Sequence, residues 1–478
     1  MGETRYSGRT GPETITGTLL QPFLCFYPEN FFEKTVFGGI VSEKEDGAMD
    51  FVHEKAGEVP VAGEFDVIVA GSGPAGVSAA LRAARAGART LLLEQGGCLG
   101  GMWTAGLLGW IHDHSGKSGL VAQLKRELLR RGAAEEPPCS PAFAFEPEAM
   151  KLLLEELCLE SGVTIRLYTM AVDVLWNASG GIDCLLTESK SGREAWKAQI
   201  FIDATGDGDI AALAGASFEQ GEPGTGKLQP MSLIAMLAGV RPEEIRPYVN
   251  GWTRRAEAVA NLRELLTANG APPTYHDASL FHLSGELFLL MASHQYQVSG
   301  TSAADLTAAT IEARRAIHAQ VAALRRSGPP WDRIRLVSTA ERIGVRETRR
   351  AAGLYTVTAQ DLAEGRRHAD AVCHVTFGID IHALTPGTGR GTVGPKMEFH
   401  PYDIPLRALI SRDIPNLLLA GRCISGDFYA HASYRVTGNC VPLGEAAGTL
   451  AALAVREKTA PARIPFSVFE AAGTLHRV

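Results

Sequence analysis

The stretch Phe65-Asp66-Val67-Ile68-Val69-Ala70-Gly71-Ser72-Gly73-Pro74-Ala75-Gly76 decides the fold. Its apolar first half predicts a buried β-strand over 65–70. The alanine-rich run that follows predicts a helix over 75–86, and a second strand is predicted over 90–94, so the unit reads strand, glycine turn, helix, strand. Gly71 to Gly76 spell G-x-G-x-x-G directly after a strand and at the mouth of a helix, which is where a dinucleotide needs them. Gly71 permits the tight turn, Gly73 lets the backbone approach a pyrophosphate, and Gly76 lets the helix pack closely on the strand. The helix N-terminus, entered through Pro74 and Ala75, faces the negative charge.

Glu94 closes the second strand at about the twenty-residue spacing at which an acid accepts hydrogen bonds from the adenosine ribose. The other reading, a glycine turn and a surface Glu in an ordinary α/β protein, does not need all four features together. FAD and NAD share this unit. The run Gly96-Gly97-Cys98-Leu99-Gly100-Gly101-Met102 that follows Glu94 favours FAD, because its small residues let backbone lie against a diphosphate and a flavin.

Composition sets the outer bounds. The 478 residues are 45% hydrophobic and 21% charged, which is ordinary for globular proteins. Net charge is −7 with no long run of either sign, which argues against a nucleic-acid partner. Eight cysteines are scattered without C-x-x-C or zinc spacing. A reduced cytoplasm is the expected location, with no secretory signal, no membrane segment and no metal. A homo-oligomer is left open.

Along the chain, residues 1–60 read as an N-terminal extension carrying Phe23, Phe26, Tyr27, Phe31 and Phe32. Residues 61–221 read as the first part of a dinucleotide domain, with helices near 120–129 and 147–160, a strand pair around 164–175 and 181–188, and a buried strand over 199–204. Residues 222–400 lose that character and mix helices, 303–326 being the clearest, with polar strands such as 335–339. From 401 to 478 the α/β pattern returns, with a strand over 416–420, a loop at 426–435 and a helix from about 443 to 456. The expected fold class is α/β: a discontinuous Rossmann-type domain around a central parallel sheet, with an inserted mixed α+β substrate domain.

Taken together, the glycine fingerprint, Glu94, the second glycine run, Ala204-Thr205-Gly206-Asp207-Gly208-Asp209 and Leu419-Ala420-Gly421-Arg422 resemble the glutathione-reductase-type FAD superfamily. Ala304 to Thr307, Gly344 to Arg350 and Tyr402 to Leu409 are similar to segments of its bacterial FAD-dependent oxidoreductase family. The resemblance implies non-covalent FAD, with Ala204, Gly206, Asp207 or Asp209 near the adenosine half or pyrophosphate. It also implies Asp427 at the ribityl chain or phosphates. It puts the start of the last helix, through Gly438 and Val441, at the pyrimidine edge of the flavin. Where that family usually shows a histidine after the Gly-Arg loop, this sequence has Phe428, with His431 three positions on.

A flavin exchanging a hydride with a carbon needs a base or acid beside it. The loop Gly426 to Arg435 offers His431 as base, Tyr434 as its hydrogen-bonding partner and Arg435 as an anchor for a carboxylate or a flavin oxygen. Loop packing is the alternative reading for all three. His374, Asp380 and His382 form a second polar cluster, with Asp380 and His382 expected on one face of a strand. Arg346, Arg349 and Arg350 read as an ion-pair network with Glu341 and Glu347, or as an anion clamp. Cys98 has no second thiol nearby for disulfide chemistry, and the glycine-rich run at 386–394 lacks the helix of a second nucleotide site. The expectation is an FAD-dependent oxidoreductase acting on a small organic substrate by hydride transfer at CH–OH, CH–NH or an activated C=C. The alternatives are a flavoprotein electron-transfer or assembly component, and a non-redox enzyme using FAD electrostatically.

Overall fold

The strand read from the glycine stretch begins four residues earlier, as β1 (Val61–Ala70), and leads into α1 (Pro74–Arg85) and β2 (Thr90–Leu93). The computed structural model describes residues 57–135, 142–386 and 398–473. Next come α2 (Gly119–Arg130), α3 (Pro147–Glu160), β3 (Thr164–Arg166), β4 (Met170–Trp176), β5 (Ile182–Ser189), β6 (Gly192–Asp203) and the short α4 (Asp209–Leu213). A second group follows: β7 (Ala235–Ala238), β8 (Val249–Asn250), α5 (Arg255–Ala268), β9 (Ser279–Ser284), β10 (Leu287–Met291), α6 (Ala303–Arg326) and β11 (Arg335–Thr339). The chain then runs through α7 (Ala359–Glu364), β12 (Ala371–Val375), β13 (Tyr402–Pro405), β14 (Leu417–Leu419), α8 (Phe428–Tyr434), α9 (Thr437–Arg456) and α10 (Phe466–Ala471).

The central sheet has the order β3-β2-β1-β6-β5-β4, with β14 also on β6. Pairs β3/β2, β2/β1, β1/β6 and β14/β6 are parallel, and β6, β5 and β4 run as an antiparallel meander. Register sets Ala70 opposite both Leu93 and Asp203, and Asp203 opposite Leu419, so four parallel strands end level. Ligands of open α/β sheets bind beyond such carboxyl ends. The fold is the expected α/β class with a central parallel sheet. The β7 to β11 group forms a five-stranded sheet of order β8-β9-β10-β7-β11, whose core packs Leu237, Leu280 and Leu289 with Leu262 of α5 and Ile317 and Leu324 of α6.

α9 is buried on every side from Thr437 to Ala454, so it is a core helix rather than an amphipathic one. It crosses α1 at contact distance: a Cβ on Gly444 would stand 2.0 Å from the Ala75 carbonyl, and one on Gly448 2.2 Å from that of Ala79. No helix among the described residues is long and apolar enough to cross a membrane.

Several local expectations need correction. The run over 164–175 is two strands, because Tyr168 turns the chain at φ 55° and sends β3 onto β2 and β4 onto β5. Residues 380–382 are not a strand, since Asp380 N–H donates to the Ala432 carbonyl and His382 N–H to the Gln229 side chain rather than to a ladder neighbour. The loop at 426–435 contains helix α8, and α9 begins at Thr437, with Pro442 inside it and α10 beyond it. The N-terminal aromatics and the glycine run after Pro386 lie outside the described residues.

Candidate functional site

Beyond the level strand ends, three glycine turns converge on the N-terminus of α1. Gly71 adopts φ +90°, where a Cβ would also strike the Ala204 carbonyl at 2.6 Å, and a Cβ on Gly76 would stand 1.8 Å from the Gly71 carbonyl. Ala204 is thereby wedged against the fingerprint from the end of β6. Gly73 is different: its backbone is ordinary and a Cβ would enter open space. Gly100, in the left-handed region at φ +101°, donates to the Ser72 carbonyl at 2.8 Å and turns the second glycine run back. Gly101 then lies so near that its Cβ would touch Gly73 Cα at 2.9 Å. From the far side, Gly421 abuts Ala75, again at 2.8 Å from a notional Cβ. The helix mouth beneath Pro74 therefore has room above it and orphan amides pointing into that room.

Glu94 stands at the rim with its carboxylate already filled. It accepts from Ser72 N (3.0 Å), Ser72 Oγ (2.7 Å), Gly96 N (2.7 Å) and Arg342 Nη2 (2.9 Å). Burial opposes its charge, but Arg342 and these donors outweigh it and hold the carboxyl below its usual range. A carboxylate offers about four lone-pair sites. A ribose hydroxyl reaching Glu94 must therefore displace a donor, and Arg342, the most exposed of them, is the one free to swing away. The cleft beside it is lined by Gly96, Cys98, Gly101, Ala105, Glu341 and Arg342. Opposite, buried Asp203 accepts from Thr205 N, Thr205 Oγ1 and Ala211 N and so shapes the turn that carries Gly206 and Asp207. Asp207 Oδ1 accepts from Arg422 Nη2 and Thr348 Oγ1, both at 2.7 Å.

A second locus lies where α8 passes into α9. Asp380 Oδ2 meets His382 Nε2 at 3.1 Å and Arg435 Nη2 at 3.2 Å. Asp380 keeps 42% of its side-chain surface. Burial works against its charge, but His382, Arg435 and Arg346 overcome it and hold the carboxyl far below its usual range. An ionised carboxylate only accepts, so His382 carries its proton on Nε2 and presents Nδ1 as a lone pair. Burial, then the Arg346 charge, lower the His382 pKa to about 4. His294 lies edge-on at 5.0 Å between ring centroids and stacks on Tyr275 at 4.0 Å. His112, also pushed down to about 4 by burial, accepts from Trp110 Nε1 at 2.9 Å.

The sequence-derived chemical candidates separate sharply. His431 is fully buried and neither ring nitrogen makes a well-formed hydrogen bond; burial, then Arg350 and Arg435, keep it neutral. Tyr434 is equally buried and donates to the Ile424 carbonyl at 3.1 Å, tying the turn rather than serving His431, which it meets only ring edge to face. His374 pairs with Asp403 at 2.9 Å, on β12 and β13, and makes no contact with Asp380 or His382. Arg435 and His382 do meet, through Asp380.

Among the expected cofactor contacts, Asp427 uses both carboxylate oxygens on backbone, accepting from Ala430 N (2.8 Å) and Ala359 N (2.6 Å), so it caps α8 and pins α7. Val441 lies a full turn inside α9 with its side chain in the core. Gly438 does lie in the first turn, but its notional Cβ would fall 2.1 Å from the His112 carbonyl, so backbone fills that space. Met102 folds back onto Gly106 and Gly344. Of the three arginines, Arg349 pairs with Asp209 at 2.9 Å and Arg350 with Glu347, as a network, while Arg346 donates to the Pro230 carbonyl, next in sequence to Gln229, and its charge acts on His382. His112, His294, Tyr275 and Gln229 carried no sequence signal, being lone residues in loops and strand ends.

The family model described as FAD dependent oxidoreductase matches residues 66–472. The chain belongs to this family. It is an FAD-dependent oxidoreductase, and FAD is its cofactor. A stretch of 42 residues is 60% identical to thiamine thiazole synthase of Aeropyrum pernix, covering 9% of this chain and 16% of that protein. The chain thus spans about a sixth of the curated relative it matches. Among solved structures, a geranylgeranyl bacteriochlorophyll reductase-like protein from Thermoplasma acidophilum is similar with TM-score 0.47 at 12% identity, covering 85% of this chain and 82% of that one. The p-nitrophenol 4-monooxygenase PnpA of Pseudomonas putida DLL-E4 is similar with TM-score 0.44 at 13% identity, covering 86% and 84%.

The residues present fit FAD. Open space over Gly73 is a cradle that a side chain would fill, and Gly96, Met102, Gly206, Asp207, Arg422 and Arg435 each keep partial exposure.

Proposed function

We propose that this FAD-dependent oxidoreductase transfers a hydride between flavin N5 and a small organic substrate held at the Asp380–His382 cleft. One observation carries the reading: an ionised Asp380, itself held by Arg435 at 3.2 Å, fixes a neutral His382 by a 3.1 Å hydrogen bond. FAD supplies the two-electron acceptor or donor. Gly71, Gly73, Pro74, Ala75 and Gly76 hold its diphosphate against α1, Gly100 and Gly101 close over it, and Glu94 faces the ribose. In the oxidative direction, His382 Nδ1 takes the O–H or N–H proton as hydride leaves the adjacent carbon; in reduction it returns that proton. Asp380 is a positioning residue that fixes the tautomer, and Arg435 holds Asp380. On this reading residues 222–400 are the substrate domain inserted into the FAD domain, the flavin is non-covalent, and the chain joins the glutathione-reductase-type superfamily.

The test is an anaerobic screen of sugars, hydroxy acids and amines for bleaching of the yellow protein. A substrate that bleaches wild type should do so roughly 100–10,000-fold more slowly in His382→Gln, with flavin content unchanged. If no metabolite bleaches the protein while a co-purifying protein reduces it, the reading fails. Flavin retained in an acid-precipitated pellet would contradict non-covalent binding.

A further inference from the structure

The charges around His382 do not balance. Arg346 and Arg435 are positive, Asp380 is negative, and His382, His294 and His112 are neutral. One positive charge is left over in a partly desolvated cleft. It belongs to Arg346. Arg350 and Arg349, its neighbours in sequence, are paired with Glu347 and Asp209, and Arg435 with Asp380. Arg346 uses Nη1 on the Pro230 carbonyl (2.6 Å) and Ser232 Oγ (3.0 Å), and among the described residues no carboxylate lies within ion-pair reach of it. A guanidinium carries five N–H donors in a planar fork suited to a carboxylate. Burial lowers even this arginine, to about 10.

Two more polar groups point the same way. Among the described residues Gln229 Nε2 and His294 Nε2 have no hydrogen-bond partner, in residues only 2% and 4% exposed. Gln229 Oε1 accepts the His382 amide at 3.2 Å, and the His294 ring lies beside that of His382, so both unsatisfied side chains adjoin His382. An unmade buried hydrogen bond costs about 1–3 kcal/mol, and folded proteins rarely gather several in one place without a ligand or water to complete them.

We infer that the cleft binds a small organic monocarboxylate, its carboxylate on the Arg346 fork within reach of Gln229 and His294, and its reacting carbon beside His382. This rests on the cleft being the substrate side of the flavin. The charge count chooses among anions: a single negative charge completes the site, a phosphate dianion overshoots it, and a neutral sugar leaves Arg346 uncompensated. A bound carboxylate also offsets the Arg346 charge that, after burial, is the main influence lowering His382, so ligand binding makes His382 the stronger base.

The oxidised holoenzyme is titrated calorimetrically with propionate, butyrate and benzoate, with their amides, and with inorganic phosphate. Carboxylates should bind at least tenfold more tightly than the amides and than phosphate. Arg346→Met should weaken them by on the order of 10–100-fold, as expected for a charge-assisted pair, with flavin content unchanged and partial recovery in Arg346→Lys. If Arg346→Met does not fold, Gln229→Leu should give a smaller loss in the same direction. Equal binding of acid and amide, tighter binding of phosphate, no binding of any carboxylate, or unchanged affinity in a folded Arg346→Met or Gln229→Leu overturns the inference. Binding is read without turnover, so carboxylates that bind while no compound bleaches the flavin sink the hydride reading alone, and bleaching by neutral compounds with no carboxylate binding sinks this inference alone.

Discussion

Gly71 and Gly73 are two residues apart and do opposite work. Gly71 is required by the fold, since its φ of +90° and the Ala204 carbonyl both exclude a side chain. Gly73 has extended backbone and free space, so the chain tolerates a methyl there, while under the proposed cofactor placement that methyl would occupy the space of the diphosphate. Gly73→Ala should cost the flavin-free chain about 1 kcal/mol or less, in line with a helix N-cap change, and cut FAD affinity tenfold or more. Gly71→Ala should instead destabilise the flavin-free chain by on the order of 1–3 kcal/mol. Urea unfolding of the flavin-free proteins and fluorescence titration with FAD separate the two; equal unfolding midpoints for both variants would be inconsistent with it. The motif was legible in sequence because spacing alone encodes a turn. The chemistry was not: His382 stood in a vague cluster with His374, and only the fold shows that Asp403 takes one and Asp380 the other.

At the scale of elements, legibility followed periodicity. The spans of α3, α6 and β11 agree with the sequence reading, and at α6 the Ser302 cap marks the start of the helix. The start of α9 was missed because Pro442 reads as a helix boundary. Proline there removes one bond to Gly438, and burial of the whole helix outweighs that loss. Gly444 and Gly448, unremarkable in sequence, let α9 lie directly on the Ala75 and Ala79 carbonyls, and no side-chain movement can relieve a clash with backbone. Gly448→Ala should therefore destabilise the protein by roughly 1–3 kcal/mol or more, and Gly444→Ala likewise, with weakened FAD retention in the latter because α1 begins at the cradle. Chemical denaturation with flavin release as a second probe tests this; a loss below about 0.5 kcal/mol for both would show that the helices can part at little cost.

The whole molecule keeps three histidines of one cleft uncharged, and this makes its stability depend on pH in a definite direction. Burial lowers His112 and His382 to about 4 in the folded protein and holds His294 well below its ordinary value, against about 6.5 in an unfolded chain. Between those values the unfolded state binds protons that the folded state refuses, so each histidine lowers stability as pH falls from about 6.5 to about 4 and has no such effect above. Asp209 acts with the opposite sign: burial, then Asp203 and Asp207, raise its pKa to about 6, so the folded state takes up that proton first. Carboxylates of both signs overlap this window, so the informative quantity is a difference between proteins. On going from pH 7 to pH 4, wild type should lose about 3 kcal/mol more stability than His382→Gln, and a similar excess over His112→Gln, at about 1.4 kcal/mol per pH unit for each proton. Guanidinium unfolding at half-unit pH steps measures both curves. Parallel curves for wild type and both variants would mean that the histidines titrate normally, and that the cleft is wetter than its packing implies.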